Sequence, residues 1–535
     1  MADEPVVQPS TSTGKIARSA GAVSIAVMCS RVLGLIREQI FAGLFGAGYA
    51  FDAFVVAFRI PNLLRDLFAE GALSAAFVTV FTEYNTNRGT EATWRLASNA
   101  MIFFSLLIST LTLVGIYWAE PIVNLLAPGF GLIPGKTDLT VHLSRIMMPF
   151  LLCVSLAAVV MGILNTKGHF FVPALSSAFF NVGSIVGGLS LAFLFPRFGQ
   201  PAIAGMAWGT LFGGILQILI QMPTLFKVGF RFHFSCNPFD PGVRRILLLM
   251  LPAVIGLSAT QINIFINTNF AASCAEGSIS WLNYAFRLVQ LPIGVFGVAL
   301  SIAVMPILAK QAAQKDLASI KQTFTSSLVL VFALTVPATA GLMLLARPII
   351  RLIFEHGIFT HIDTIQTADA LICYAIGLFA YAAIKIMVPV FYAINNTRYP
   401  VIGSFLGVAA NIGIILLVID VLQHRGIALA TSCAMILNFL FLGAVLYRKL
   451  DRYPLGYLLL GVTKIVAATG MMCGGIWGLE QLLSPWQQDT LPAQIGALVI
   501  LIGAAVAIYG IGLHGLRLPE FTLLTGKLVQ RLRRS

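Results

Sequence analysis

The sequence predicts an all-α polytopic membrane protein with 14 transmembrane helices: two six-helix lobes related by an internal repeat, plus two extra C-terminal helices. Composition, the length of the apolar runs and self-similarity predict it. Of the 535 residues, 58% are hydrophobic and only 10% charged, with mean hydropathy +0.90, whereas a soluble domain carries about 25% charge. The apolar residues gather into runs long enough for a hydrocarbon core of about 30 Å, which takes about 20 residues of helix. No ten-residue alternating strand pattern occurs, and bundled helices satisfy their own backbone in lipid.

The polar stretch 1–19 reads as a cytoplasmic tail, with no cleavable signal peptide because the first apolar run is long and carries Arg31 and Arg37. Spans are expected near 20–46, 50–82, 93–118, 138–164, 172–196 and 200–226, forming an N-lobe over 20–226. A cytoplasmic linker, 227–242, leads to a C-lobe over 243–447, with spans near 243–271, 277–309, 320–346, 364–394, 399–421 and 424–447. Two more spans, 455–482 and 491–516, fall in the segment 448–516, and a basic cytoplasmic tail occupies 517–535.

The net charge of +13 follows this topology rather than a nucleic-acid surface. With the N-terminus inside, 17 of the 34 Lys and Arg fall in inner loops and tails and 4 in outer loops, the other 13 lying within spans. The positive-inside rule then puts both termini in the cytoplasm. The seven cysteines are scattered, without a CxxC, and read as packing residues.

The repeat rests on three matches in the same order. AFR at 57–59 recurs at 285–287, an offset of 228. NTK, Pro173 and Asn181 recur as NTR, Pro400 and Asn411, with offsets of 227 for the prolines and 230 for the asparagines. More weakly, IAGMAWGT at 203 pairs with IALATS at 427. Six crossings per copy make the repeat parallel, and transporters built this way bind substrate between their halves near the midplane.

The stretch RIPNLLRDLFAEG, residues 59–71, puts charge inside the second span. On an α-helix turning 100° per residue, Asp52, Arg59, Asp66 and Glu70 share one face, with Pro61 a site for a bend. A charge at mid-bilayer costs about 2.5 to 3.5 kcal/mol even on a lenient scale, so this stripe must face protein or water. Arg31, Arg37 and Glu38 add to the set from the first span, Arg65 from the second, Arg145 from the fourth, Arg287 from the eighth and Lys385 from the tenth. The corresponding face of the eighth span reads Asn283, Arg287, Gln290, Gly294, with no acid. Gln261, Asn263, Asn267 and Asn269 crowd the seventh span with amides, which suits interhelical bonding and cavity lining equally.

Pairing between helices is one use for these charges; binding an anionic substrate in a cationic cavity is the other. Arginine binds phosphate oxygens at two points and keeps its proton at any working pH, which favours a phosphate or pyrophosphate. GLIPGKT at 131–137 is one residue too short between its glycines for a phosphate-binding loop and lies outside by topology, so no ATPase is predicted. No metal site or catalytic set is apparent either. A multidrug exporter, another polyprenyl-linked oligosaccharide flippase and a membrane transferase remain as rivals.

The run SRVLGLIREQIFAGLFGAGYAFDAFVVAFRIPNLLRDLFAEGALSAAF, residues 30–77, resembles the signature region of the MurJ (MviN) family of lipid II flippases. MGILNTKGHFFVPALSSAFFN, SWLNYAFRLVQLPIGVFGVALS and IRLIFEHGIFT agree with it, so the resemblance covers essentially the whole chain. It implies a transporter rather than an enzyme, in the superfamily of the multidrug and toxin extrusion exporters. Its substrate is lipid II, undecaprenyl pyrophosphate bearing the peptidoglycan disaccharide pentapeptide, moved across the bacterial inner membrane by alternating access. It also implies that the last two helices form a groove for the polyprenyl tail. By resemblance, Arg31, Arg37, Arg65 and Arg287 are essential or nearly so, and Glu38, Asp52, Arg59 and Glu70 are further charged cavity sites. The family often has acids where this chain has Phe286 and Gln290, which bears on ion coupling there. A monomer with no cofactor is expected, with Asp52, Asp66 and Glu70 open to a coupling H⁺ or Na⁺.

Overall fold

A peptide group in hydrocarbon has no water to bond, so a chain this apolar must close its hydrogen bonds within each segment. The computed structural model describes residues 12–234, 237, 240–487 and 490–520, with side chains except at 12–22, 24, 69–71 and 484–487. Among the described residues, helix is the only regular secondary structure. The tail sequence RLRRS lies outside the described residues.

The chain divides into two compact units. The first comprises Met1–Phe41 and Tyr49–Gln261. It contains most of α1 (Ser12–Phe45), then α2 (Tyr49–Leu64), α3 (Ala72–Asn87), α4 (Gly89–Tyr117), α5 (Ala119–Leu126), α6 (Lys136–Met147) and α7 (Phe150–Thr166). It continues with α8 (Phe171–Leu194), α9 (Ala202–Leu219), α10 (Met222–Lys227) and the larger part of α11 (Pro241–Ala272). Phe77, Phe81, Trp94 and Phe104 form its core with Val159, Ile163 and Ile246.

The second unit comprises Ala42–Gly48 and Ile262–Ser535. It holds α12 (Ser278–Pro292), α13 (Ala299–Ala313), α14 (Leu317–Leu344), α15 (Ala346–Phe354), α16 (His361–Ala375) and α17 (Leu378–Ala393). Then come α18 (Arg398–Leu422), α19 (His424–Lys449), α20 (Leu455–Gln487) and α21 (Leu491–Gly515). Phe324, Leu328, Ile386, Phe391, Leu446 and Ile465 lie in its core. The last two helices join a smaller cluster of Leu345, Met472, Ile476, Leu501 and Ala505. The Tyr509 hydroxyl of α21 donates to the Ala333 carbonyl of α14 at 2.6 Å.

Among the described residues, eleven helices are long and apolar enough to cross a membrane, and twelve if α16 and α17, bent by 41° at their junction, make one span. That bent pair is the segment expected over 364–394. The segments expected over 20–46 and 50–82 are helical but are not among the twelve. The first lies in a helix that starts at Ser12, among residues without described side chains, and the second carries the charges from Asp52 to Glu70.

Between α2 and α3 the chain stays helical but changes pitch, because Arg65–Gly71 forms a π-helical turn. A second π turn, Ile293–Val298, joins α12 to α13. The two begin 228 residues apart, the offset of the AFR pair. A π turn closes i to i+5 bonds and takes more residues per turn than an α-helix. The stripe drawn at a constant 100° is therefore broken at Arg65. Asp52 and Arg59 keep their alignment within α2, whereas Asp66 and Glu70 sit in the wide turn. Pro61, inside α2, has no N–H to give the carbonyl one turn back and so already loosens the ladder just ahead of this change.

Small residues let α8 and α9 touch along their backbones. A Cβ at Gly205, Gly209 or Gly213 of α9 would run into backbone atoms of Ala192, Gly188 or Phe180 on α8. Three glycines at four-residue spacing thus supply the close approach that helices in lipid depend on, where no hydrophobic force draws them together.

Candidate functional site

In the first unit, α1 and α2 bring charge into an apolar interior. Arg37 is 9% exposed and its Nη2 donates to Glu38 Oε1 at 3.0 Å, with the guanidinium 5.4 Å from the Phe180 ring centroid. On α2, the buried Asp52 accepts from Lys136 Nζ at 3.0 Å. The two side chains are 3% and 1% exposed. Lys136 opens α6 directly after Gly135, whose φ of 75° turns the chain in a left-handed conformation that glycine adopts without strain. Its ammonium also lies 4.5 Å from the centre of the Phe130 ring.

The π turn carries the third pair. Arg65 donates from Nε and Nη2 to Asp66 Oδ1, at 3.2 and 3.0 Å, and Gln261 of α11 donates to the other oxygen at 3.2 Å. Arg31 and Arg59 are half-buried, and Arg145, in the last turn of α6, is exposed. The Glu70 side chain lies outside the described residues. Each described acid of the set is thus hydrogen-bonded to a base. Leaving aside the exposed Arg145, five bases, Arg31, Arg37, Arg59, Arg65 and Lys136, stand against Glu38, Asp52 and Asp66, and against four acids if Glu70 is counted.

The second unit holds the remaining expected residues. Arg287, Asn263 and Asn267 are half-buried, whereas Gln290 and Lys385 are exposed. Asn267 of α11 donates to Thr431 Oγ1 at 3.0 Å and accepts from Asn411 at 2.7 Å, tying α11 to α18 and α19 through neutral groups. In the first unit, Asn181 of α8 donates to the Ser30 carbonyl of α1 at 3.1 Å. Asn181 and Asn411 are the repeat-related asparagines, and both pin one helix to another. Phe286, where the family often has an acid, packs against the rings of Tyr374 and Tyr381.

The connection between α1 and α2 is fixed through its carbonyls. Ile358 N–H donates to the Gly43 carbonyl at 3.0 Å, and the Tyr284 hydroxyl donates to the Gly46 carbonyl at 3.1 Å. Tyr284 is buried against Phe354 and Phe359, so its hydroxyl is held in place. Gly357, at φ 63°, has no room for a Cβ against the Gly43 carbonyl. Trp281 of α12 donates to Asp363 at 2.8 Å, and Asp363 also closes the capping box at the start of α16.

Sequence reasoning missed Lys136, because the loop motif around it was weighed only as a phosphate binder. The usable signal was Asp52, a carboxylate expected inside a span that needed a cation. Trp281 with Asp363, and Tyr284 with Gly46, gave no such signal, since their partners lie 82 and 238 residues away.

The model of a family described as "Lipid II flippase MurJ" matches residues 41–495. A probable lipid II flippase MurJ of Vibrio cholerae is 34% identical over 511 residues, covering 93% of this chain and 96% of that protein. A lipid II flippase MurJ of Burkholderia cenocepacia is 35% identical over 434 residues, covering 79% and 82%. Among solved structures, a lipid II flippase MurJ in an inward closed conformation is similar at a TM-score of 0.77 and 30% identity, covering 93% of this chain and 99% of that one. An inward-facing multidrug resistance MATE family transporter of the MOP superfamily is similar at a TM-score of 0.68, covering 81% and 99%; at 16% identity this likeness concerns the fold alone.

The buried Lys136–Asp52 pair makes a direct prediction. Removing one partner leaves an uncompensated buried charge, at a cost of about 3 to 5 kcal/mol. Lys136→Met should therefore lower the thermal unfolding midpoint of the purified protein, and adding Asp52→Asn should recover most of the loss. A single variant as stable as the parent would show that the pair contributes nothing to the fold.

Proposed function

The chain belongs to the MurJ family of lipid II flippases, and from that premise we propose that it carries lipid II from the cytoplasmic to the periplasmic leaflet of the bacterial inner membrane. It does so by alternating access, as a monomer, without ATP, cofactor or covalent step. The observation that carries this reading is the excess of base over acid among the charges of α1, α2 and α6. An exporter of cationic drugs would present acids to its cargo, whereas here Glu38, Asp52 and Asp66 are each already held by a base. The guanidinium groups of Arg31, Arg37, Arg59 and Arg65, with Arg287 of the second unit, are suited to pyrophosphate oxygens. Arg145, Asn263, Asn267, Gln290 and Lys385 are secondary contacts for the sugars and peptide.

The topology that goes with this function has 14 crossings, two repeated six-helix lobes and both termini in the cytoplasm, supported by the distribution of Lys and Arg. No nucleotide supplies energy. One elementary charge crossing 100 mV is worth about 2.3 kcal/mol, and the membrane potential acting on the cationic set is the drive we favour over a coupled H⁺ or Na⁺. Protonating Asp52 or Asp66 would strip Lys136 or Arg65 of its counter-charge.

Two experiments test this reading. In bacteria depleted of their own flippase, the chain should prevent lipid II from building up on the cytoplasmic leaflet. At matched membrane abundance, Arg31→Lys, Arg37→Lys and Arg287→Lys should each lose about tenfold or more of this activity, since one two-point phosphate contact reduced to a point contact is worth on the order of 1.4 kcal/mol. Arg59→Lys should lose less. Equal activity of all four variants would overturn the assignment of roles.

The second concerns α20 and α21, which we assign to the polyprenyl tail. They are rich in Gly and Ala and nearly free of charge, and Lys464 is drawn to the end of α21, where it donates to the Arg517 carbonyl at 3.2 Å. Gly474 has no neighbour within 4 Å of an added Cβ, whereas one at Gly475 would strike Ile508 of α21. Gly474→Trp therefore fills the open side of α20 without parting the two helices. It should slow transport of full-length carrier while leaving binding of a short-tailed analogue unchanged, and an equal effect on both lipids would refute the groove.

A further inference from the structure

The stretch between α10 and α11 reads Phe230-Arg231-Phe232-His233-Phe234, aromatic at every second position, and it has no helical structure. Alternate side chains of an extended chain share a face, and the Phe230 and Phe232 rings do meet. The backbone is held by α4. Ser98 Oγ accepts from the His233 N–H at 3.0 Å, and Asn99 bonds Asn237 twice, donating to its carbonyl at 3.0 Å and accepting from its N–H at 2.8 Å. Ser98 and Asn99 are themselves buried, so the anchor points are fixed.

Pinned in this way, the chain sets Phe230 against the core and carries the later rings outward. From the buried Trp94 a ladder of edge contacts runs outward, Trp94 to Phe230 at 5.5 Å and Phe230 to Phe232 at 6.4 Å between centroids. Phe232 is 56% exposed and Phe234 88%, and Phe226 at the end of α10 is 62% exposed. The fold holds Phe232 and Phe234 in the open on a segment whose backbone it ties down at two side chains of α4, and Phe226 in the open at the end of the helix before it.

Position identifies what covers them. The segment joins two candidate spans, Ala202–Lys227 and Pro241–Ala272, at the ends by which both leave the bilayer on one side. Lys227, Arg231, Arg244 and Arg245 surround it and are exposed, Arg245 also pairing with Glu83 at 2.8 Å. Aromatic rings and basic side chains together are the chemistry of the membrane–water interface, where rings enter the headgroup boundary and Lys and Arg meet anionic lipid.

We propose that residues 226–234 form a membrane-surface anchor. Phe226, Phe232 and Phe234 seat in the headgroup and upper acyl region of the adjoining leaflet, and Lys227, Arg231 and Arg244 bind anionic phospholipid headgroups. This inference rests on the chain spanning a membrane and is independent of what it transports. It differs from an amphipathic helix lying on the surface in that the apolar face has a period of two and is set by hydrogen bonds to Ser98 and Asn99.

The full-length protein with 4-trifluoromethylphenylalanine in place of Phe234 keeps the ring and so the fold. In nanodiscs of phosphatidylethanolamine and phosphatidylglycerol, its fluorine resonance should be broadened several-fold more by a nitroxide near the lipid glycerol than by a water-soluble gadolinium chelate. Replacing all lipid by phosphatidylcholine, or introducing Arg231→Glu, should reduce the lipid-borne broadening. A resonance broadened by gadolinium and untouched by the lipid nitroxide would overturn the anchor and leave the surface to a protein partner. Equal lipid broadening in phosphatidylcholine and in anionic nanodiscs would overturn the role of the basic residues.

Discussion

A charge in a low-dielectric interior must be matched, and the pairing of Lys136 with Asp52 shows how this fold meets that requirement. The two groups come from helices 84 positions apart and meet at 3.0 Å with almost no exposure. Neither could be buried alone, since the desolvation of one ion is offset only by the other. Glu38 with Arg37 and Asp66 with Arg65 repeat the arrangement at more exposed positions. The consequence is electrostatic: once the described acids are matched, the remaining balance of the set is positive, and a positive interior suits an anion.

The backbone is subject to a parallel constraint. Helices in lipid must keep their hydrogen bonds closed, yet α2 and α12 each pass into a π turn near an internal proline, Pro61 in one and Pro292 in the other. The extra residue in each wide turn is accommodated without leaving the helix, and in the first unit it places Asp66 where Gln261 of α11 can reach it. The two turns begin 228 residues apart, the spacing of the AFR pair in the sequence.

Much of this was legible in the sequence, and the illegible parts have definite causes. Apolar run length located the helices, because hydrocarbon thickness fixes how many residues a crossing takes. The concentration of charge on the second span marked it as facing protein or water, because no lipid-facing helix could carry it. What the sequence concealed was pitch and partnership. A constant 100° per residue put Asp52, Arg59, Asp66 and Glu70 on one stripe, and the π turn at Arg65 breaks that stripe, since nothing local in RDLFAEG announces an i to i+5 bond. Lys136 stood in a loop with no periodicity to interpret. Phe230, Phe232 and Phe234 alternate plainly, yet only the bonds to Ser98 and Asn99 reveal a backbone held so that Phe232 and Phe234 stay outward.

In the mechanism we propose, a matched but net cationic set of side chains moves a pyrophosphate-linked lipid through the bilayer. The most direct measurement uses the purified chain in proteoliposomes, following how fast lipid II becomes accessible to a leaflet-specific reagent on the opposite side. The expected result is acceleration over protein-free vesicles that disappears when the same headgroup is attached to the polyprenyl chain through a neutral linkage instead of pyrophosphate. Equal acceleration of the charged and neutral lipids would contradict it, because the arginines would then have no part in selecting the cargo.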